Sequence, residues 1–142
     1  MFFFKTAARK AAWTTPILVA PHGREAIEIL TRVAAGDASL PPLACVLLDL
    51  KMPFATGLEV LQWMRAQPPL QFIPAVILTS SEQESDIVAA YRLGASSFLV
   101  KPSEPQRMGE LLQVIEAYWK RHNRLPSSTL ERLATAQPFA TR

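Results

Sequence analysis

The most constraining feature of the sequence is an apolar run that ends abruptly in an acid, from Val46 to Asp49. A continuous run of valine and leucine is typical of a strand buried on both faces of a parallel sheet. Asp49 would then lie at the carboxyl end of that strand, which is the edge of an open α/β sheet where ligands bind. A carboxylate there is a nucleophile, a metal ligand or, in the simplest interpretation, the cap of the turn through Pro53 and Gly57.

Apolar segments elsewhere in the chain alternate with amphipathic helical patterns. Strands are predicted over residues 16–20, 45–49, 73–79 and 97–100, and helices over residues 1–13, 24–35, 57–66, 82–93 and 104–120. This alternation predicts right-handed βαβ units and therefore a parallel sheet. Because the carboxyl ends of parallel strands share one edge, we expect Asp49, Thr79 and Lys101 to converge there.

An acid, a hydroxyl and an ammonium at neighbouring strand ends suit phosphoryl chemistry. Asp49 can attack a phosphoryl donor and carry the group as an acyl phosphate. Thr79 can donate a hydrogen bond to one phosphoryl oxygen, and Lys101 can pair with another as a point charge. A site rich in oxygen ligands would normally add Mg²⁺, which bridges carboxylate and phosphate oxygens.

The composition is that of one ordinary globular domain. The chain has 142 residues, of which 49% are hydrophobic and 19% are charged,. The single cysteine, Cys45, excludes an internal disulfide and a cysteine-rich zinc site, and it suits the reducing cytoplasm. No apolar run approaches the length of a membrane span, so no membrane partner is predicted. The basic residues behind the net charge of +3 cluster near the two chain ends without aromatic interleaving, and no DNA-binding motif follows residue 120, so we expect no DNA partner.

At these positions the sequence resembles the receiver domain of two-component response regulators. The matching motifs are LDLKMP at residues 48–53 with Gly57 after it, ILTS at 77–80, LGA at 93–95 and FLVKP at 98–102. The resemblance implies a flavodoxin-like, doubly wound parallel sheet, and the receiver is predicted over residues 1–121. The helical periodicity fades from His122 onward, so residues 122–142 are predicted to be a mobile C-terminal tail,. The stretch 81–101 and the Tyr118-Trp119 ending are similar to the single-domain regulators that partner bacterial phytochromes.

The resemblance implies a role for each of five residues. Asp49 would be the phosphoacceptor, Thr79 the switch hydroxyl and Phe98 the switch aromatic. Lys101 would contact the phosphoryl group, and its bond to the following proline would be cis. The backbone carbonyl of Lys51 would join Asp49 as a ligand of Mg²⁺.

The sequence departs from the receiver pattern at its beginning. The resemblance starts inside the first helix, and no acid precedes Glu25, so the first strand and the acidic pair that holds the metal in this family are both missing. Three explanations stay open: the natural start lies upstream, the protein is a degenerate receiver that binds partners without phosphorylation, or a second copy fills the gap.

Two functions are therefore predicted side by side. The first is a phosphorylation-controlled receiver, not an enzyme, whose partners are a sensor histidine kinase of the phytochrome type and a second copy bound through the last strand and the last helices. The alternative is a module with the receiver fold that binds other proteins without phosphotransfer. A flavin carrier or enzyme on the same fold is disfavoured, because no phosphate-binding loop follows residues 16–20,.

Overall fold

A parallel sheet of three strands forms the centre of the protein, as seen in a computed structural model that describes residues 16–126. The strands are β1 (Val46–Leu48), β2 (Ala75–Thr79) and β3 (Ser97–Val100), and their spatial order follows the sequence. Ile77 at the centre of β2 lies opposite Leu48 on one side and Phe98 on the other. All five residues of β2 are buried, as expected for the middle strand of a covered parallel sheet,.

Helices connect the strands in the order expected for βαβ units. They are α1 (Gly23–Ala34), α2 (Gly57–Ala66), α3 (Glu84–Arg92) and α4 (Pro105–Glu116), with a short 3₁₀ helix at Pro68–Leu70 and a π-helical turn at Ala117–His122. Thr56 begins α2 with a capping box, since its hydroxyl accepts a hydrogen bond from the Glu59 amide and the Glu59 carboxylate accepts one from the Thr56 amide,. This capping box therefore fixes where the loop after Asp49 ends and α2 begins.

The two faces of the sheet are covered by different helices. Leu48 and Ile77 pack with α1, α2 and α3 on one face. Leu47 and Leu78 point to the other face, where they pack against Met108 and further residues of α4. This alternation follows from the period of two along each strand, and it makes the fold a flavodoxin-like α/β sandwich.

Two sequence predictions are wrong. The strand predicted over residues 16–20 has no regular structure, and Ile17 and Leu18 are each 37% exposed. A strand needs a paired neighbour, and within residues 16–126 no backbone hydrogen bond joins this segment to β1,. The bond between Lys101 and Pro102 is trans rather than cis, and trans is the isomer that proline bonds favour by about 0.5–1 kcal/mol.

The remaining elements match their predictions within a few residues. The helix predicted over residues 104–120 ends as an α-helix at Glu116 and continues as the π-helical turn. The predicted helix over residues 1–13 and most of the predicted tail, residues 127–142, lie outside the described residues. The domain boundary near residue 121 stays a prediction.

Candidate functional site

Asp49 and Lys101 meet at the carboxyl edge of the sheet. Asp49 directly follows β1 and Lys101 directly follows β3, so the parallel topology brings residues 52 positions apart into contact. The Lys101 ammonium donates a hydrogen bond to Asp49 Oδ2 and forms an ion pair with it. The side chain of Lys101 is 32% exposed and that of Asp49 is 30% exposed, so a reagent from solvent can reach both.

Thr79 lies between these two residues at the end of β2. It is fully buried, and its backbone carbonyl accepts a hydrogen bond from the Lys101 amide at 2.7 Å. The Thr79 hydroxyl accepts a hydrogen bond from the Ser81 amide at 3.3 Å. The sequence therefore placed all three strand-end residues at the correct edge, and the direct side-chain contact is the one between Asp49 and Lys101.

The loop after Asp49 is held close to the site by its own backbone. Asp49 Oδ1 accepts a hydrogen bond from the Lys51 amide at 3.2 Å, which fixes the carboxylate in a turn as the simplest interpretation anticipated,. Gly57 packs directly on this turn: a Cβ built there would lie 2.2 Å from the Asp49 carbonyl oxygen. The glycine is thus required by the close approach of the two backbones.

A second contact fastens the same loop to α1. The Gly23 amide donates to the Pro53 carbonyl at 3.3 Å, and a Cβ on Gly23 would lie 2.1 Å from the Ala55 carbonyl oxygen. Phe54 adopts a left-handed backbone with φ of 68° and stacks edge-on against His22 at 4.9 Å between ring centroids. None of these contacts could be predicted from the sequence, because they join a loop to the start of a helix about 30 residues away.

A polar network continues from Thr79 into the start of α3. Ser81, which is 9% exposed, donates a hydrogen bond to Asp86 Oδ2 and accepts one from the Gln83 amide at 3.3 Å. The chain of contacts runs from the Thr79 hydroxyl through Ser81 to the first turn of α3. Phe98, in the neighbouring strand, is half-buried against the core on the α1–α3 face.

The donor set at this site is too small to hold a divalent cation unaided. It offers the Asp49 carboxylate, already paired with Lys101, and the role of the Lys51 carbonyl as a second ligand stays a prediction. Within residues 16–126 no group of three His, Cys, Asp or Glu side chains is placed to bind a metal. Mg²⁺ accepts sites with one or two carboxylates only when water and phosphate oxygens complete its octahedral shell.

Comparison with known proteins identifies the family. A model of the response regulator receiver domain matches residues 5–113. The chain belongs to this family. It is a receiver domain of two-component signalling, which is a signalling module. Within residues 16–126 no helix is long and apolar enough to cross a membrane.

Relatives of this receiver include regulators from several systems. The chain is 36% identical over 104 residues to the probable methanogenesis regulatory protein FilR2 of Methanothrix harundinacea, covering 73% of this chain and 66% of that protein. It is 36% identical over 83 residues to the response regulator Rcp1 of Synechocystis sp., covering 58% of this chain and 56% of that protein. The match thus spans between about half and two thirds of these two curated relatives.

Solved receiver structures share the fold. The phosphorylated cyanobacterial phytochrome response regulator RcpA is 30% identical with a TM-score of 0.75, over 89% of this chain and 89% of that one. The Mn²⁺-bound form of Rcp1 is 28% identical with a TM-score of 0.74, over 87% of this chain and 91% of that one. These similarities confirm the predicted receiver family and the flavodoxin-like fold.

Proposed function

We propose that this receiver accepts a phosphoryl group on Asp49 from a sensor histidine kinase. The observation that carries the proposal is the partly exposed Asp49 carboxylate at the carboxyl edge of the sheet, in contact with the Lys101 ammonium. A carboxylate oxygen would attack phosphorus, form the new O–P bond and displace the donor imidazole, which takes up a proton as the N–P bond breaks. Lys101 would then pair with the phosphoryl oxygens in place of the carboxylate.

Thr79 and its network give the modification a route to the protein surface. A phosphoryl group on Asp49 would offer new acceptor oxygens to the Thr79 hydroxyl. If the hydroxyl turned toward them, its contact with the Ser81 amide would be lost, and the start of α3 would be released from that constraint. Phe98 is the proposed switch aromatic, since its half-buried ring can change burial with the same movement.

The proposed partner surface is the face formed by α3, β3 and α4. These elements carry the exposed side chains of Tyr91, Val100 and Val114, and Tyr118 is exposed in the π-helical turn that follows α4. Because the related structures include a cyanobacterial phytochrome response regulator and a bacteriophytochrome response regulator, the proposed partner is a sensor kinase of the phytochrome type. The proposed location of this exchange is the cytoplasm. The same face is the proposed homodimer contact, which sedimentation or light scattering with and without phosphodonor tests directly.

The test is phosphorylation of the purified chain by acetyl phosphate, followed by intact mass. We expect a phosphoryl adduct on the unmodified chain and none on Asp49→Asn. The matched control is Asp37→Asn, because Asp37 is also ion-paired, to Arg32, and its side chain is 29% exposed against 30% for Asp49. An adduct that survives Asp49→Asn, or that disappears in Asp37→Asn, would contradict the assignment.

Mg²⁺ dependence separates this function from a second candidate. The second candidate is a receiver that binds proteins without phosphotransfer, and it is favoured because no group of three His, Cys, Asp or Glu side chains within residues 16–126 is placed to hold the metal. We propose that Mg²⁺ is required for the reaction and is recruited together with the phosphodonor, whose oxygens add the missing ligands. A folded chain that gains no adduct at any Mg²⁺ concentration would leave the phosphorylation-independent module as the function.

A further inference from the structure

The loop that follows Asp49 contains a strained turn centred on Phe54. The Ala55 amide donates a hydrogen bond to the Pro53 carbonyl, two residues back, at 2.8 Å, which closes a γ-turn. Phe54 has a φ of 68°, and a γ-turn with positive φ at its centre is the rarer and strained form. Within residues 16–126 Phe54 is the only residue other than glycine with a positive φ. The turn therefore has a backbone conformation that a bulky side chain disfavours.

Contacts with the start of α1 hold this turn in place. The Pro53 carbonyl accepts a second hydrogen bond, from the Gly23 amide at 3.3 Å. The Arg24 guanidinium lies 5.3 Å from the centroid of the Phe54 ring, which is a cation–π contact, and the His22 ring meets its edge. Each contact is weak, because the Phe54 side chain is 75% exposed,. The strain in the turn and the contacts that oppose it are therefore similar in size, so a small perturbation can decide between two loop conformations.

Charge on Asp49 holds the other end of this loop. Asp49 Oδ1 accepts a hydrogen bond from the Lys51 amide at 3.2 Å, and an ionised acceptor makes such a bond roughly twice as strong as a neutral one. A phosphoryl group on either carboxylate oxygen removes that charge, because the carboxylate becomes an acyl phosphate. Since Lys51 lies three positions before Phe54, loss of the charge would weaken the loop next to the strained turn.

We propose that the γ-turn at Phe54 is a conformational latch, which the charged Asp49 carboxylate keeps closed and which opens when that charge is lost. In the closed state the turn joins the loop to the start of α1. In the open state Phe54 returns to a negative φ, its ring leaves Arg24, and the Gly23 amide loses its acceptor. Opening would change a surface at the start of α1, away from the α3, β3 and α4 face. Its trigger by a phosphoryl group rests on the proposed function, whereas its dependence on the carboxylate charge does not.

NMR of the full chain without phosphodonor tests the dependence on charge. A strong NOE between the amide and α protons of Phe54 reports its positive φ, and hydrogen exchange at the Gly23 amide reports its bond to Pro53. Asp49→Asn keeps the size of the side chain but removes its charge, so it should weaken the NOE and speed Gly23 exchange about fivefold. The control is Lys101→Met, which removes the ion pair but leaves Asp49 charged and should change neither signal. An Asp49→Asn chain with both signals unchanged would overturn the proposal.

Two matched pairs of variants test the strain and the cation–π contact. Phe54→Gly and Phe54→Ala both lose the ring, but only glycine accepts a positive φ without strain. Combined with Asp49→Asn, the glycine variant should therefore exchange its Gly23 amide about fivefold or more slowly than the alanine variant. Arg24→Ala should speed this exchange in the otherwise unmodified chain, whereas Arg107→Ala, at an exposed arginine in the first turn of α4, should not. Equal exchange within either pair would refute the latch.

Acetyl phosphate with Mg²⁺ tests the phosphoryl trigger, with the adduct followed by intact mass. An adduct on Asp49 that weakens the Phe54 NOE and speeds Gly23 exchange would support the proposal. An adduct that leaves both signals unchanged would refute the trigger. If no adduct forms on the folded chain, the phosphotransfer function fails, and the comparison of Asp49→Asn with the unmodified chain still decides whether charge keeps the latch closed.

Discussion

Arg65 should contribute more to stability than its half-exposed position on α2 suggests. Its guanidinium donates hydrogen bonds to four backbone carbonyls, at 2.8 Å to Ile73, 3.0 Å to Gly94 and 3.2 Å to both Leu70 and Gln71. Burial lowers the pKa of Arg65, but a guanidinium stays charged in proteins,. The side chain thus joins the end of α2 to the loop before β2 and the turn before β3.

The loss of stability expected for Arg65→Ala depends on which of the four hydrogen bonds are buried. The bonds to Leu70 and Ile73 are partly buried, and bonds to a charged donor contribute about 1.5–3 kcal/mol each,. The bonds to Gly94 and Gln71 are exposed and contribute little. We therefore expect Arg65→Ala to lower the free energy of unfolding by about 3 kcal/mol, which at a urea m-value of about 2 kcal/mol per M moves the midpoint by about 1.5 M.

Urea unfolding of three variants provides the assay. Arg65→Lys keeps the charge but not the fork of donors, so it should recover less than half of the loss. The control is Arg92→Ala, an exposed arginine in the last turn of α3 with no hydrogen bond or ion pair found in the described part of the chain. The reasoning fails if Arg65→Ala costs less than about 1 kcal/mol, or if it matches Arg92→Ala.

Three further predictions concern single positions. Gly57→Ala should destabilise the chain by about 2 kcal/mol or more, measured by urea unfolding, because its Cβ would meet the Asp49 carbonyl oxygen at 2.2 Å,. Cys45 should resist alkylation below pH 9, since burial raises its pKa from 9.0 to about 11, and stability should fall as the pH rises from 9 toward 11 because the unfolded thiol ionises first,. Asp37 should titrate near pH 2 by NMR, because the hydroxyl and amide of Ser39 and the Arg32 guanidinium hold its pKa below 3.8, and Ser39→Ala should raise it.

Each of these three predictions has a control or an outcome that would contradict it. Gly36→Ala is the control for Gly57, because a Cβ there meets nothing within 4 Å and only the positive φ of 74° resists it,. Rapid alkylation of Cys45 at neutral pH would contradict the burial of its thiol just before β1. An Asp37 that titrates at its ordinary value would mean that the contact with Ser39 does not persist in solution.

The periodic part of the fold could be predicted because it depends on local pattern. β3 was predicted with its observed bounds, and the strand predicted over residues 73–79 begins only two residues later, at Ala75. The delay has a physical cause: Pro74 has no N–H for the ladder, and it contributes only its carbonyl, to Val46,. The contact between Asp49 and Lys101 followed from the shared edge of parallel strands.

The parts that could not be predicted depend on partners distant in the sequence. Residues 16–20 have strand composition, but composition does not supply a neighbouring strand, and the segment stays irregular,. The hydrogen bonds of Arg65 could not be predicted, because its position on α2 does not show that the loop after α2 places carbonyls such as that of Ile73 beside it. The hydrogen bond from the Ser81 hydroxyl to Asp86 could not be predicted either, because it depends on where the start of α3 places Asp86.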